Sequence, residues 1–197
     1  RRAPQRADVK SLWVGLRPLV KPPDDDGDDT KALSREHTVR VSRNGLVTVT
    51  GGKWTTYRAM AEDVLDECAN RSLLARTRKG VTMRLKLVGA ADVGAARPAL
   101  SQPPGLHLYG SEASRVLALP GAQTELCAGL SEAMVRFAAR FEYAVSVEDV
   151  LARRSRLLFL DARLAQTLAP RVAEILWQET GLEPALAAFL ELAQHYR

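Results

Sequence analysis

A strand that runs directly into two glycines and then into a helix narrows the folding choices of this chain more than any other feature. Residues 46–50, Leu-Val-Thr-Val-Thr, carry β-branched side chains that favour a pleated strand. Gly51 and Gly52 follow without a break. Beyond them Tyr57, Met60, Ala61, Val64, Leu65 and Cys68 recur at the spacing of one helical face. Upstream, His37 to Val41 reads as a partner strand. Ser42-Arg43-Asn44-Gly45 joins the two, with Asn44 and Gly45 expected at the positive-φ positions of the hairpin turn.

On either side of this unit the text changes character. Residues 9–20 form an apolar run that reads as a strand halted at Pro18, because proline cannot donate to a ladder, and Arg17 is left at its end. Lys21-Pro22-Pro23 and the aspartates between positions 24 and 29 can bury nothing and read as a solvated loop. An EF-hand is excluded there: with Gly27 as the sixth loop residue, the first and twelfth are Pro22 and Leu33, where calcium needs carboxylates. Residues 71–105, with glycine-alanine patches and Pro103-Pro104, read as an extended linker with one short strand near 81–88. Beyond it the periodicity is helical: from about Glu112, through Ser131 to Phe141, a helix capped by Ser146 with Asp149 three residues on, and two more around Val172 and Ala185, parted by Gly181 and Pro184. The expected architecture is α+β, with N-terminal strands and a helix in residues 1–80, a linker over 81–105, and an all-α helical domain over 106–197.

Composition excludes several classes. Of 197 residues 46% are hydrophobic and 26% charged, which suits a packed core and excludes wholesale disorder or a disulfide miniprotein. Cys68 and Cys127 lie far apart with no ligand spacing, so they read as reduced packing residues, and no metal site is expected. The net charge of +5 is local: 19 basic and 12 acidic residues fall in the first hundred positions, 9 and 11 after them. Only the first half looks anion-facing. No apolar run reaches the roughly eighteen residues of a membrane span, and the Arg1-Arg2-Ala3-Pro4 start resembles neither a signal peptide nor an initiator, so the chain is expected to be processed or excised.

Chemistry concentrates at Thr50-Gly51-Gly52-Lys53-Trp54-Thr55-Thr56-Tyr57-Arg58. A strand that ends in glycines and opens a helix presents backbone N–H groups and a positive dipole end, to which Lys53 adds a full charge. The spacing is not that of a Walker loop, and the chain has no GxGxxG. By pattern alone this is either an anion-binding corner or a tight turn beside a solvated lysine.

Three separated motifs in one order then become familiar: Trp13-Val14-Gly15-Leu16-Arg17-Pro18-Leu19, Leu33-Ser34-Arg35-Glu36-His37, and Gly45 through Arg58. Together with Tyr109-Gly110-Ser111-Glu112-Ala113 and Glu148 through Asp161, they closely resemble the C-terminal part of the FAD-dependent, quinone-linked glycerol-3-phosphate dehydrogenases. The resemblance covers nearly the whole chain. It implies that the strands and first helix belong to a flavoprotein FAD/substrate domain, and that the second half is the family's helical C-terminal domain. Arg17 would be the guanidinium that meets substrate. Gly51, Gly52, Lys53, Trp54, Thr55 and Thr56 would face the FAD ring, with Lys53 also at the pocket wall beside the chemistry.

The implied reaction is oxidation of sn-glycerol 3-phosphate to dihydroxyacetone phosphate by hydride transfer to FAD, with electrons passed on to quinone. The pyrophosphate-binding fingerprint and the catalytic base are expected outside this chain, so the chain alone is expected to be inactive and to need the N-terminal part of the same enzyme. The resemblance further implies peripheral attachment to the mitochondrial inner membrane or the bacterial cytoplasmic membrane, with a homodimer as one assembly open to it and no nucleic-acid partner. His37, His107 and His195 are expected in surface or packing roles. Arg153, Arg154 and Arg156 read as arginines that bridge helix ends and carboxylates such as Glu148 and Asp161, Trp177 as bundle core, and Trp54 as either cofactor packing or plain burial. Two rival readings are a non-catalytic helical interaction module and a basic protein that binds anionic lipid.

Overall fold

The computed structural model describes residues 2–16, 36–75, 80–90, 99 and 102–197. Arg17, the aspartate run and Leu33-Ser34-Arg35 therefore lie outside the described residues. The architecture is mixed and mostly helical, with two small antiparallel two-stranded sheets. The chain forms two compact units, residues 15–86 and residues 1–14 together with 87–197.

In the first unit, β1 (His37–Val41) pairs with β2 (Val47–Gly51) in the register Val39 to Val49 and His37 to Gly51. The turn differs from the expectation in one respect. Only Gly45 takes positive φ (+83°), while Asn44 uses its side chain, whose Oδ1 accepts from the Leu46 N–H at 3.2 Å. Helix α1 (Tyr57–Asn70) follows a single 3-10 turn at Trp54–Thr56. Its stripe is only half used. Met60 and Val64 are half-buried and Cys68 is buried, but Tyr57, Ala61 and Leu65 are exposed, because a sheet two strands wide covers little more than one edge of the helix. No strand forms near 81–88, where a 3-10 turn at Thr82–Arg84 stands instead.

The second unit holds the core. After a 3-10 segment (Leu106–Glu112) come α2 (Ala113–Leu117), β3 (Glu125–Cys127), β4 (Leu130–Ser131), α3 (Glu132–Phe141), a π-turn (Asp149–Arg154), α4 (Leu157–Leu160), α5 (Ala162–Thr180) and α6 (Leu186–Gln194). The β3–β4 ribbon corrects the all-α expectation, since the seven residues from Glu125 to Ser131 carry too little periodicity to announce a pair of short strands. Helices begin where the caps require: Ser131 Oγ accepts from Met134 N–H at 3.4 Å, and Asp161 Oδ1 from Leu164 N–H at 3.1 Å. The expected box at Ser146 is present, with Asp149 N–H donating to Ser146 Oγ at 3.2 Å and Ser146 N–H donating to Asp149 Oδ2 at 3.0 Å. Gly181, left-handed at φ +69°, ends α5.

Alanines 133, 165 and 169 have no exposed surface, and such small residues let α3, α5 and α6 approach closely. Phe137, Leu151, Leu158, Ile175, Leu176 and Phe189 fill the space between them. Glu179 of α5 accepts from Arg136 Nη1 at 2.6 Å and from Arg140 Nε at 2.5 Å, and Glu132 of α3 accepts from Arg171 Nε at 2.8 Å, so charge pairs flank the apolar seam between these helices. Trp177 is not core: it is 59% exposed, on the face of α5 turned away from Ile175 and Leu176. None of the described helices is long and apolar enough to cross a membrane.

The expected strand over residues 9–20 is corrected for its described part. Residues 9–16 form no ladder. Instead, Leu12 N–H donates to Tyr196 O at 2.8 Å and Ala162 N–H donates to Ser11 Oγ at 2.8 Å, so Ser11 and Leu12 are tied to the helical unit. An apolar run specifies that a segment seeks a surface, and the nearest one here is helical.

Candidate functional site

The corner between β2 and α1 is built on backbone that only glycine adopts comfortably. Gly51 and Gly52 have φ of +76° and +78°. A Cβ on Gly51 would lie 2.6 Å from the Glu36 carbonyl oxygen, and one on Gly52 would lie 2.6 Å from the Met60 sulfur. The two glycines thus turn the chain within the width of the hairpin and leave their outer side free of side chains.

Past them Lys53 is extended (φ −131°, ψ 147°) and precedes the 3-10 turn of Trp54–Thr56. Thr56 uses its N–H and its hydroxyl on the Lys53 carbonyl, both at 2.9 Å, so its side chain does not cap the helix. Neither helix start at this corner has a side-chain cap; the Thr56 and Tyr57 N–H groups are taken by the Lys53 and Trp54 carbonyls within the 3-10 turn, so only N–H groups ahead of them could meet an electron-rich partner. The Lys53 side chain has no ion pair or hydrogen bond to a described residue and is exposed, as are Trp54, Thr55 and Thr56. Trp54 is 87% exposed, and its one ring contact among the described residues is Tyr57, 5.7 Å away, so the described residues do not bury it. Beneath the corner His37 Nε2 meets Asp63 Oδ2 at 2.9 Å, tying hairpin to helix, which is the packing role expected of it.

The structure therefore brings Gly51 through Thr56 together as one exposed, side-chain-poor, donor-rich corner. Arg17 lies outside the described residues, and its relation to the corner is not part of this geometry. The remaining arginine candidates behave as structural ties. Arg153 binds Glu148 at 2.6 Å and Asp149 at 2.8 Å, and Arg154 donates to Asp149 and to the Glu142 carbonyl. Arg156 is the exception, left-handed at φ +59° and unpaired among the described residues, while the expected Asp161 partner is taken by Lys10 at 2.7 Å.

A second concavity, of about 430 Å³, lies in the helical unit between Leu108, Met134, Val150 and Leu157, with Tyr109 and Cys127 on its wall. Its tyrosine and its cysteine are held neutral, while Arg154 and Arg156 add positive charge to the wall. Burial pushes the Tyr109 hydroxyl up to about 12, helped by Glu142, and burial together with Glu125 pushes the Cys127 thiol up, so both stay protonated at neutral pH. Sequence reading gave no hint of this cavity, because its walls come from six elements with no shared motif.

Comparison with known proteins identifies the family of the chain. The family described as the C-terminal domain of alpha-glycerophosphate oxidase matches residues 80–186. A mitochondrial glycerol-3-phosphate dehydrogenase of Arabidopsis thaliana is 38% identical over 89% of this chain and 32% of its own length. A probable mitochondrial glycerol-3-phosphate dehydrogenase of Caenorhabditis elegans is 38% identical over 92% of this chain and 27% of its own, and the human mitochondrial enzyme is 35% identical over 89% and 26%. The chain spans about a third or less of the length of these relatives. The chain belongs to the family defined by the C-terminal domain of alpha-glycerophosphate oxidase, and it corresponds to the C-terminal portion of proteins like these dehydrogenases.

Proposed function

We propose that this chain is the C-terminal portion of an FAD-dependent glycerol-3-phosphate dehydrogenase that oxidises sn-glycerol 3-phosphate to dihydroxyacetone phosphate and passes the electrons to quinone. The observation that carries this is the free corner at Gly51 to Thr56, which stands uncapped and unshielded in a chain 38% identical to a protein of that name. Its residues fit a flavin. The glycines let a planar ring approach the backbone, the open N–H groups and the Lys53 ammonium favour negative charge, and the exposed Trp54 offers a flat apolar face. When bound, the flavin would supply the acceptor for the hydride leaving C2 of the substrate.

The work of this chain's own residues is electrostatic and positional. Lys53 holds a cation at the wall of the pocket, where charge builds up as the substrate is oxidised. Arg17 pairs its planar guanidinium with the substrate's phosphate or with the oxygen on C2 as that oxygen loses its proton, and it remains charged throughout. The relatives named above are mitochondrial, and we assign this protein to mitochondria, attached peripherally to the inner membrane.

The test is reduction of a quinone-analogue dye by sn-glycerol 3-phosphate with FAD present. It compares this chain alone, this chain mixed with the preceding part of the Arabidopsis thaliana relative, and the same mixture carrying Arg17→Ala or Lys53→Ala. Activity in the mixture alone, and its loss with either substitution, is the expected result. A folded chain that never complements would overturn the assignment.

A second reading, of the helical unit as an assembly module, is favoured by one observation: residues 10–13 are already seated on it. Complementation of the preceding part by a chain lacking residues 2–14 would count against that.

A further inference from the structure

The cavity of about 430 Å³ in the helical unit is not used by the reaction proposed above, and its lining is apolar inside and basic at one side. Leu130, Met134, Ala138 and Val150 are its buried part, while Leu108 and Leu160 keep 66% and 50% of their surface exposed. A ligand that covers such concave apolar surface gains by taking it out of water. The volume lies toward the lower end of the range for small-molecule sites, roughly 300–1,000 Å³, which suits a compact ligand.

Two contacts make the wall firm. Gly129, left-handed at φ +84°, turns β3 into β4 so close to Pro104 that a Cβ there would collide with the Pro104 carbonyl. On the opposite element, Ser155 Oγ donates to the Val150 carbonyl at 2.9 Å and fixes the end of the π-turn.

None of the described residues that line the cavity is acidic, and two are arginines. Their situations differ. Arg154 Nη1 donates to the Asp149 carboxylate and carbonyl, both at 3.3 Å, and its Nη2 donates to the Glu142 carbonyl. Its charge is also matched, because Arg153 and Arg154 together face Glu148 and Asp149. Arg156 is the surplus cation. It is exposed, its side chain has no hydrogen bond or ion pair to a described residue, and its backbone is left-handed at φ +59°. A residue with a Cβ keeps that backbone only where its surroundings impose it, and such outliers gather at ligand clamps and active sites. Here it stands at the step between the π-turn and α4, on the rim of an apolar cavity.

We propose that this cavity binds a small anionic amphiphile, its apolar chain lying among Leu108, Met134, Val150 and Leu157 and its carboxylate meeting Arg156. The cavity selects for the chain and the arginine for the charge. A neutral ligand of the same shape leaves Arg156 unanswered, and a short anion leaves the apolar walls in water. The site is made by the helical unit alone, so it stands or falls independently of the dehydrogenase assignment.

The test titrates octanoate into the whole chain by calorimetry, with hexanoate, acetate and octan-1-ol as companions, and repeats the titration in Arg156→Gln, Arg156→Lys and Ala128→Trp. Ala128 lines the cavity from the exposed β3–β4 turn, so a large ring there should fill the cavity without entering the core. Octanoate should bind one to one, with affinity gained about fourfold for each methylene added from hexanoate. Arg156→Gln should weaken it about tenfold, Arg156→Lys should recover most of the loss, and Ala128→Trp should abolish binding. Bound octanoate should also slow alkylation of Cys127, on the cavity wall, several-fold, as read from the mass of its peptide. Octan-1-ol binding as tightly as octanoate would overturn the proposal by removing the role of charge, and acetate doing so would remove the role of the cavity. Absence of saturable binding at millimolar octanoate, or binding that leaves Cys127 unprotected and survives Ala128→Trp, would overturn it as well.

Discussion

Gly52 and Met60 meet across the first turns of α1 so closely that a single added methyl at Gly52 would lie 2.6 Å from the Met60 sulfur. At Gly51 the obstacle is the Glu36 carbonyl, also at 2.6 Å, which is backbone and has less freedom to move than a methionine side chain. Both positions have positive φ, which costs an alanine about 1–2 kcal/mol before any clash. Gly52→Ala should therefore destabilise the hairpin-helix unit by roughly that amount, and Gly51→Ala by more. Hydrogen exchange at the Val47 to Thr50 amides checks the order; equal protection in the two variants would show that Glu36 yields as readily as Met60.

Glu179 serves two arginines of α3 at once, and its side chain is only 8% exposed. Removing it would leave Arg136, itself 13% exposed, with Gln178 Oε1 at 3.1 Å and only the more distant Glu132 carboxylate at 3.9 Å. Breaking a buried pair from one side costs about 3–5 kcal/mol, and the partial exposure of Arg140 places Glu179→Ala at the lower end of that range. Arg140→Ala should cost much less, since Arg136 still holds the carboxylate. Thermal unfolding of the two variants, read by far-UV circular dichroism, tests the difference.

Much of this was written plainly in the sequence, and what escaped did so for physical reasons. The hairpin, the glycine pair, α1, α3 and the break at Gly181 follow from local periodicity and turn chemistry, which a short window captures. The corner was legible as a donor-rich turn because glycine positions and helix starts are local properties. Residues 9–16 misled because an apolar run fixes neither burial nor partner, Val14 and Leu16 staying 89% and 94% exposed, and Trp177 because its neighbours Ile175 and Leu176 point to the other side of one helix. The anchoring of Ser11 by Leu158 and Ala162 joins residues about 150 positions apart and leaves no sequence pattern.

Acid should loosen the helical unit from identifiable places. Lys10 and the Leu164 N–H hold the Asp161 carboxyl below its ordinary range; Arg140 and Arg136 do the same for Glu179 against the opposing effect of burial. At Asp149 burial favours the neutral form, but donation from Val145, Ser146 and Arg153 outweighs it. Depressed carboxyls stabilise fully above their unfolded values, about 4, and lose that contribution as pH falls through the lower folded values. Glu142 has the opposite sign: burial raises its carboxyl, so its ionisation costs stability as pH rises. Glu142→Gln should accordingly raise the melting temperature at pH 7 and lose the advantage near pH 3, whereas Asp161→Asn should lower it at pH 7 and approach the parent near pH 2. Melting curves across this range would refute the assignment if both variants shifted in parallel at every pH.

Trp54 offers the most direct view of the corner in a complete enzyme. It is 87% exposed and its one ring contact is Tyr57, so in this chain a quencher should reach it almost as freely as it reaches a tryptophan in an unfolded peptide. Trp13 and Trp177 are 65% and 59% exposed and would obscure its signal, so the informative chain carries Trp13→Phe and Trp177→Phe. Trp177 is a surface ring whose replacement should change stability by less than about 0.5 kcal/mol. Trp13→Phe retains an edge-on partner for Phe159. Adding the preceding part of the dehydrogenase with FAD should cut acrylamide quenching of Trp54 several-fold, and the flavin should quench its emission if the two rings lie in contact. Adding the same part without FAD separates burial by protein from packing on the cofactor. Quenching unchanged in a mixture that is nonetheless active would place the Gly51 to Thr56 corner away from the flavin and leave Lys53 an ordinary surface charge.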